Sequence, residues 1–348
     1  MDKGITVSID ASRSIDSIHK TGVENVSDEI LKSFLNLKKE DINFLFYTPK
    51  EVSWLPKENQ KVLNWSFKFL WTQIRLSWEM LRNKPDIFFS PVHILPFFTP
   101  EDTYRLIHDI AFKKNPKIYS FKQRVLLNFD LYRAIKKCKK IFVPSNQVKQ
   151  DLLKHTEIQE DKIKVIPHGY TRKNKETENI ERKKQILFIG RIEEKKNIVN
   201  LIKGFNLFNQ KNPEYILILA GEIDQGYVDE NIDLFNNKIK LLGYVSKEKK
   251  YQLLSESACL SYISKEEGFG IPVLEAFDFN LPVVCSDIPV LREVGGEACI
   301  YINKDSIEEI SNGLEKVIKE DLGNKKSQQQ LEKFSWRISA GEYLKEII

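Results

Sequence analysis

Short β-branched and aromatic runs recur along this chain with room for one helix between successive runs, and that alternation leaves few folds open. ITVSID, DINFLFYT, PDIFFSP, TYRLIHD, KKIFVPS and KIKVIPHG each read as a strand in the first half. Strands joined through helices cannot pair as tight hairpins, so each crossover builds a parallel sheet covered on both faces. Residues 172–184, RKNKETENIERKK, have almost no apolar side chains and read as an exposed connector. Beyond them the alternation restarts with QILFIG, YILILAG, KIKLLG, ACLSYIS, PVVCSD and CIYIN. The expectation is α/β, two Rossmann-like doubly wound domains over residues 1–170 and 171–334, with a last helix at 335–348. A chain of 348 residues is long enough for both to bury a core.

Between the strands, VENVSDEILKSFLNL takes up helical spacing, and Ser145 or Asn146 can cap the helix NQVKQDLLKH. Residues 63–81 are also helical in spacing, with Trp65, Trp71 and Trp78 on roughly one side. Core packing is the expected use of that stripe; a membrane-facing or acceptor-facing edge is the alternative.

Charge is uneven. The net +5 divides into +8 over residues 1–170, with 28 Lys+Arg against 20 Asp+Glu, and −3 over the rest, with 26 against 29. Ten basic residues and one acid, Asp130, lie between Ala111 and Lys140. A face of this kind suits membrane headgroups or nucleic acid, or is simply solvated. The most apolar run, residues 87–98, is too short to span a bilayer, and no export signal precedes the first strand, so a cytoplasmic protein is expected. The scattered Cys138, Cys259, Cys285 and Cys299 suit reduced thiols and no metal site.

Chemistry concentrates in the second half. In SKEEGFGIPVLEAFDFNLPVVCSD, residues 264–287, Glu267 and Glu275 stand eight positions apart around a Gly-Phe-Gly-Ile-Pro turn. Gly268 and Gly270 let the backbone approach a ligand, and Pro272 suits a first helical position. Glu275 is then expected in the first turn, where the positive helix end favours a carboxylate. Such an arrangement suits a polyhydroxylated ligand, although caps and turns of this composition also occur without one. Gly190 and Arg191 end the first strand of the domain, with Lys196 and Asn197 starting the next helix. Arg191 can grip phosphate oxygens with its fork while Lys196 adds a point charge, enough to neutralise a diphosphate without a metal. The G-x-G-x-x-G fingerprint is absent, against a nicotinamide or flavin cofactor.

On GRIEEKKN, the E-x7-E pair Glu267 and Glu275, the loop at Gly22, IHD at 107–109, VPSNQVKQDL, VIPHG and a final helix opening F-S-W, the chain resembles the family-4 glycosyltransferases of GT-B architecture. The resemblance covers nearly the whole chain. It implies two domains facing a central cleft, the first on the acceptor side and the second binding the nucleotide sugar, with the closing helix crossing back to the first. Arg191 and Lys196 would hold the donor diphosphate, and Glu275 the ribose hydroxyls. Glu267 would meet the transferred sugar, with the backbone NH groups of Gly268, Phe269 and Gly270 nearby. His108 would face the same sugar, orienting a hydroxyl rather than acting as general base, and Gly22 would let its loop approach phosphate and acceptor. His93, at another strand end, lines the same cleft or is a core histidine, His19 lies in the first loop near the acceptor side, and His155 and His168 read as structural. Asn197 stands where the family usually has Gly, which questions the local turn. The family retains the anomeric configuration, with a departing phosphate oxygen as the base for the incoming hydroxyl.

The short length, IHD, SRSIDSIHKTG and SDIPVLREVGGEA look most like mannosyltransferases of cell-surface polysaccharide assembly. The expected donor is GDP-mannose, and the expected acceptor is a glycan on a polyprenyl diphosphate at the inner membrane face. Peripheral contact with anionic membrane goes with that acceptor; no cofactor, metal or nucleic acid does. UDP-hexoses, UDP-N-acetylhexosamines and deoxyhexose nucleotides remain open as donors. A hydrolase using Glu267 and Glu275 as its acid pair would leave Arg191 and Lys196 without a role. A sugar-nucleotide binding protein would not need all four residues intact.

Overall fold

The computed structural model describes the chain apart from residues 1–3, 16–19, 38–40, 68–69, 93, 117–118, 174–180 and 321–323. It forms two compact units, one of residues 1–169 with 335–348, the other of residues 170–334. His19, His93 and most of the polar connector lie outside the described residues.

Unit 1 is built on β1 (Ile5–Asp10), β2 (Ile42–Thr48), β3 (Gln60–Val62), β4 (Ile87–Ser90), β5 (Asp102–Leu106), β6 (Lys140–Val143) and β7 (Ile163–Val165). All pairings are parallel, in the order 3-2-1-4-5-6-7. Val7 and Ile9 of β1 and Phe88 and Phe89 of β4 are fully buried, as central strands covered on both faces require. Unit 2 repeats the plan with β8 (Gln185–Ile189), β9 (Ile216–Ala220), β10 (Ile239–Gly243), β11 (Cys259–Tyr262), β12 (Val283–Ser286) and β13 (Cys299–Ile302), in the order 10-9-8-11-12-13. Strand order reverses between β1 and β4 and between β8 and β11. Parallel sheets take ligands at the carboxyl ends of strands beside such reversals.

The closing helix, Trp336–Ile347, belongs to unit 1. Its fully buried Tyr343 packs against Phe34, Phe89 and Phe142, and Glu346 accepts from Lys164 Nζ at 2.7 Å and pairs with Lys140. Gly169 lets this segment pass, since a Cβ there would lie 2.0 Å from the backbone nitrogen of Trp336.

Two local expectations are corrected. β3 is too short to carry a readable alternation and pairs only at the sheet edge with β2. The helix expected over 63–81 begins only at Trp71, because Leu70 adopts a left-handed φ of 66° that stops helix propagation. Residues Trp71–Leu76 form a π turn, followed by the α-helix Ser77–Arg82. The tryptophan stripe therefore divides: Trp71 is buried and donates Nε1–H to the Leu63 carbonyl at 2.8 Å, whereas Trp78 is 59% exposed. No helix among the described residues is long and apolar enough to cross a membrane.

Candidate functional site

The carboxyl end of β8 runs into Gly190, whose φ of +151° is one that L side chains rarely adopt. Gly190 also receives a close neighbour: a Cβ on Gly221 would lie 2.0 Å from the Gly190 carbonyl oxygen. A short 3-10 turn, Glu194–Lys196, then leads to the helix Ile198–Lys211 through Asn197. Asn197 holds φ 58°, ψ 33°, and its Nδ2 donates to the Lys304 carbonyl at 2.8 Å. Asn tolerates the left-handed region better than any other residue with a Cβ, so the turn survives the replacement of Gly.

Lys196 turns back over the strands. Its ammonium donates to Glu267 Oε1 at 2.6 Å and to the Tyr262 hydroxyl at 3.3 Å, and lies 5.5 Å from the centre of the Tyr262 ring. Both partners of the ion pair are largely buried. Burial alone would raise the Glu267 carboxyl, but Lys196 and then Lys195 outweigh it and hold the group below the ordinary carboxylate range. Tyr262, buried beside that charge, is pushed well above the ordinary phenol range, first by burial and then by Glu267. It stays a neutral donor. Arg191 behaves differently: it is half-exposed, with Nε 3.5 Å from the carboxylate of the flanking Glu193. The structure thus joins Lys196 to Glu267 and leaves the Arg191 fork in solvent.

After Glu267 the chain passes Gly268 and the buried Phe269, whose ring meets Phe334 edge-on at 5.6 Å. Gly270, at φ +112°, caps the helix Ile271–Asp278, and a Cβ there would press on Leu291 at 2.8 Å. Pro272 is the second helical residue rather than the first, and Glu275 the fifth, beyond the first turn. The helix dipole, which fades within one turn, is therefore not what compensates its charge. Lys250 does so from the helix Lys247–Glu256, 2.5 Å from Glu275 Oε1. Burial would lower the Lys250 ammonium, but Glu275 reverses that and holds it above the ordinary lysine range.

In unit 1, His108 follows β5 and is buried. Its Nε2 meets the Pro91 carbonyl at 2.9 Å, which fixes Nε2–H as the donor. Nδ1 is then an acceptor, facing His168 Nε2 at 3.4 Å. Burial lowers both imidazoles, so the pair is neutral at neutral pH. Gly22 opens the helix Gly22–Asn36 behind Thr21, whose capping box with Glu24 includes Thr21 N–H to Glu24 Oε2 at 2.7 Å. Among the described residues a Cβ on Gly22 would meet nothing within 4 Å, so packing against them does not demand glycine there.

Three residues that the structure singles out leave no clear mark in the sequence. Tyr262 sat inside a strand pattern, and Lys250 lies 25 residues from the carboxylate it pairs with, in another helix. Asp10, the last residue of β1, is fully buried; Ser12 N–H donates to its Oδ1 at 2.9 Å and burial pushes its carboxyl up to about 6. A strand-terminal Asp in this fold is the only signal that marked it.

Residues 170–335 match the family described as "Glycosyl transferases group 1". Among curated proteins, the O-antigen chain mannosyltransferase RfbU of Salmonella typhimurium is 32% identical over 204 residues, or 57% of this chain and 56% of that protein. The O-antigen chain mannosyltransferase B of Escherichia coli is 27% identical over 285 residues, covering 75% and 74%. The match to the first thus spans little more than half of its length. Among solved structures, HepE of Anabaena in complex with UDP and glucose superposes with a TM-score of 0.73 at 14% identity, over 99% of both chains. The second unit thus resembles the group 1 glycosyl transferases, and the two parallel doubly wound sheets have the fold of HepE.

Proposed function

We propose that this protein is a retaining hexosyltransferase that moves mannose from GDP-mannose to a glycan acceptor carried on a polyprenyl diphosphate. The observation that carries the reading is the Lys196–Glu267 contact beside the β8–β11 switch point, with the Gly190 and Gly270 turns on either side of it. The mannosyltransferase names of the two curated relatives support the choice of sugar.

Bond cleavage between the anomeric carbon and the phosphate oxygen sends the electron pair to the departing nucleoside diphosphate. The acceptor hydroxyl oxygen bonds to that carbon on the same face, and its proton passes to the departing phosphate oxygen. Lys196 and the Arg191 fork stabilise the leaving group where its charge develops. A diphosphate would draw Lys196 away from Glu267 and free that carboxylate for sugar hydroxyls, while Glu275 accepts from the ribose. His108, buried and neutral, is assigned to orienting a sugar hydroxyl, exchanging its long contact to His168 for it. The backbone NH groups of residues 268–270 are assigned to the sugar, and the Gly22 loop of unit 1 to the acceptor. No protein nucleophile is assigned, and the lipid carrier would bring the basic first unit to an anionic membrane.

A thermal-shift screen against GDP-mannose, UDP-glucose, UDP-N-acetylglucosamine and dTDP-rhamnose tests the donor, since a ligand bound only by the native state raises the unfolding midpoint. Selective stabilisation by GDP-mannose is expected; selective stabilisation by a UDP or dTDP sugar would overturn the donor. Turnover should survive excess chelator, and a strict divalent-metal requirement would remove the diphosphate role given to Arg191 and Lys196.

A further inference from the structure

Two helices of unit 1 each leave an apolar stripe uncovered. Before and along the turns Trp71–Leu76 and Ser77–Arg82, Leu70, Ile74, Trp78 and Leu81 are all exposed, at spacings of four, four and three. Along the helix Phe121–Lys137, Phe121, Val125, Phe129 and Tyr132 repeat those spacings and are also exposed, Phe121 to 75%. Spacings of this kind put each set on one side of its helix.

The stripes meet. Phe97, itself exposed, donates its backbone N–H to Ser77 Oγ at 2.7 Å, beside Trp78. Arg133 donates to the Phe97 carbonyl at 3.0 Å, and its guanidinium lies 5.1 Å from the Phe97 ring centre and 5.9 Å from that of Phe129. One contiguous aromatic and aliphatic surface results, of a kind soluble monomers rarely leave bare.

The exposed charge on the two helices has one sign. Residues 64–85 contain a single acid, Glu79, and residues 111–140 a single acid, Asp130. Both are buried in ion pairs, Glu79 with Lys61 and Arg75, Asp130 with Arg105 at 2.6 Å. What faces outward beside the apolar stripes is basic, including Lys122, Arg124, Lys136 and Lys137. A second copy docking by the same face would set those cations against each other, whereas anionic headgroups over acyl chains match both the charge and the apolar stripes.

We propose that this surface is an insertion face, which seats unit 1 on an anionic bilayer with Trp78, Phe97, Phe121 and Phe129 entering the headgroup–acyl boundary. It deepens the lipid-linked acceptor reading above, but its test reads no transfer and contains no nucleotide sugar, so either can fail without the other. The measurement is flotation of the full chain with phosphatidylcholine vesicles, with and without phosphatidylglycerol, at low and raised salt. Binding to the anionic vesicles is expected, with a fraction that survives raised salt, because inserted apolar area is not screened. The triple variant Trp78→Ser/Phe121→Ser/Val125→Ser should lose that fraction, with partitioning down about tenfold or more. Lys122→Gln/Arg124→Gln should lose only the salt-sensitive part. All three serine positions are exposed, and an unchanged thermal midpoint certifies the fold. No vesicle binding, or a serine variant that binds like the parent, overturns the proposal. So does a dimer in sedimentation velocity that the serine changes dissociate, which would assign the face to a second copy.

Discussion

The ammonium of Lys196 and the carboxylate of Glu267 lie 2.6 Å apart, brought together from loops that follow the adjacent strands β8 and β11. Removing one partner leaves the other buried without its main counter-charge. Lys196→Met should therefore destabilise by about 3–5 kcal/mol in urea unfolding, and Lys196→Met/Glu267→Gln should recover much of the loss. The folded-state carboxyl is depressed, so its contribution is present above the unfolded carboxylate pKa and disappears as pH falls through the folded value. Glu267→Gln should flatten that acid limb. Equal losses in the single and double variants would mean that the two charges are not coupled.

Glu275 and Lys250 make a second pair of the same kind, and here the prediction concerns ligand affinity. Glu275→Ala should weaken GDP binding by about tenfold or more in calorimetry, the scale of losing a charge-assisted hydrogen bond to the ribose. Unchanged affinity would remove Glu275 from the nucleotide site. Lys250→Gln, which keeps the Glu275 side chain but removes its lysine partner, should weaken binding less than Glu275→Ala.

The alternation of strands and helices was legible because period and length are local properties, and so were the turns at Gly190 and Gly270. The lysine partners were not, since an ion pair between elements 25 or 71 residues apart leaves no local pattern. The stripes on residues 70–81 and 121–132 show a different limit. Periodicity reports that one side of a helix is apolar, but not whether anything covers it, and Trp71 and Trp78 ended on opposite sides of that question. The helix dipole on Glu275 failed for a smaller reason, a helix start that puts the residue one position past the first turn.

Asp10 gives the pH prediction its opposite sign. Burial raises its carboxyl to about 6, so between the ordinary carboxylate pKa and about 6 the folded chain holds a proton that the unfolded chain has lost. This group makes stability increase as pH falls through that window, and above it the folded state bears a buried charge. Asp10→Asn should stabilise the protein above neutrality, by up to about 3 kcal/mol, and have little effect in acid. Urea midpoints across pH check it; a variant no more stable than the parent at alkaline pH would show that the carboxylate is compensated.

Asn197 tests whether the turn ahead of the helix Ile198–Lys211 needs glycine or only a left-handed residue. Its φ of 58° is tolerated by Asn and Gly, and its side chain adds a 2.8 Å bond to the Lys304 carbonyl. Asn197→Gly keeps the backbone and loses one hydrogen bond, so stability should fall by about 1 kcal/mol, and donor affinity should hold because Lys196 stays in place. Asn197→Ala loses the same bond and also forces a β-carbon into the left-handed region, adding about 1–2 kcal/mol. If the turn positions Lys196, the alanine variant should lose donor affinity along with stability, and the glycine variant should not. Matching affinities in the two variants would separate the turn from the site, leaving Asn197 as packing for the β13 end alone.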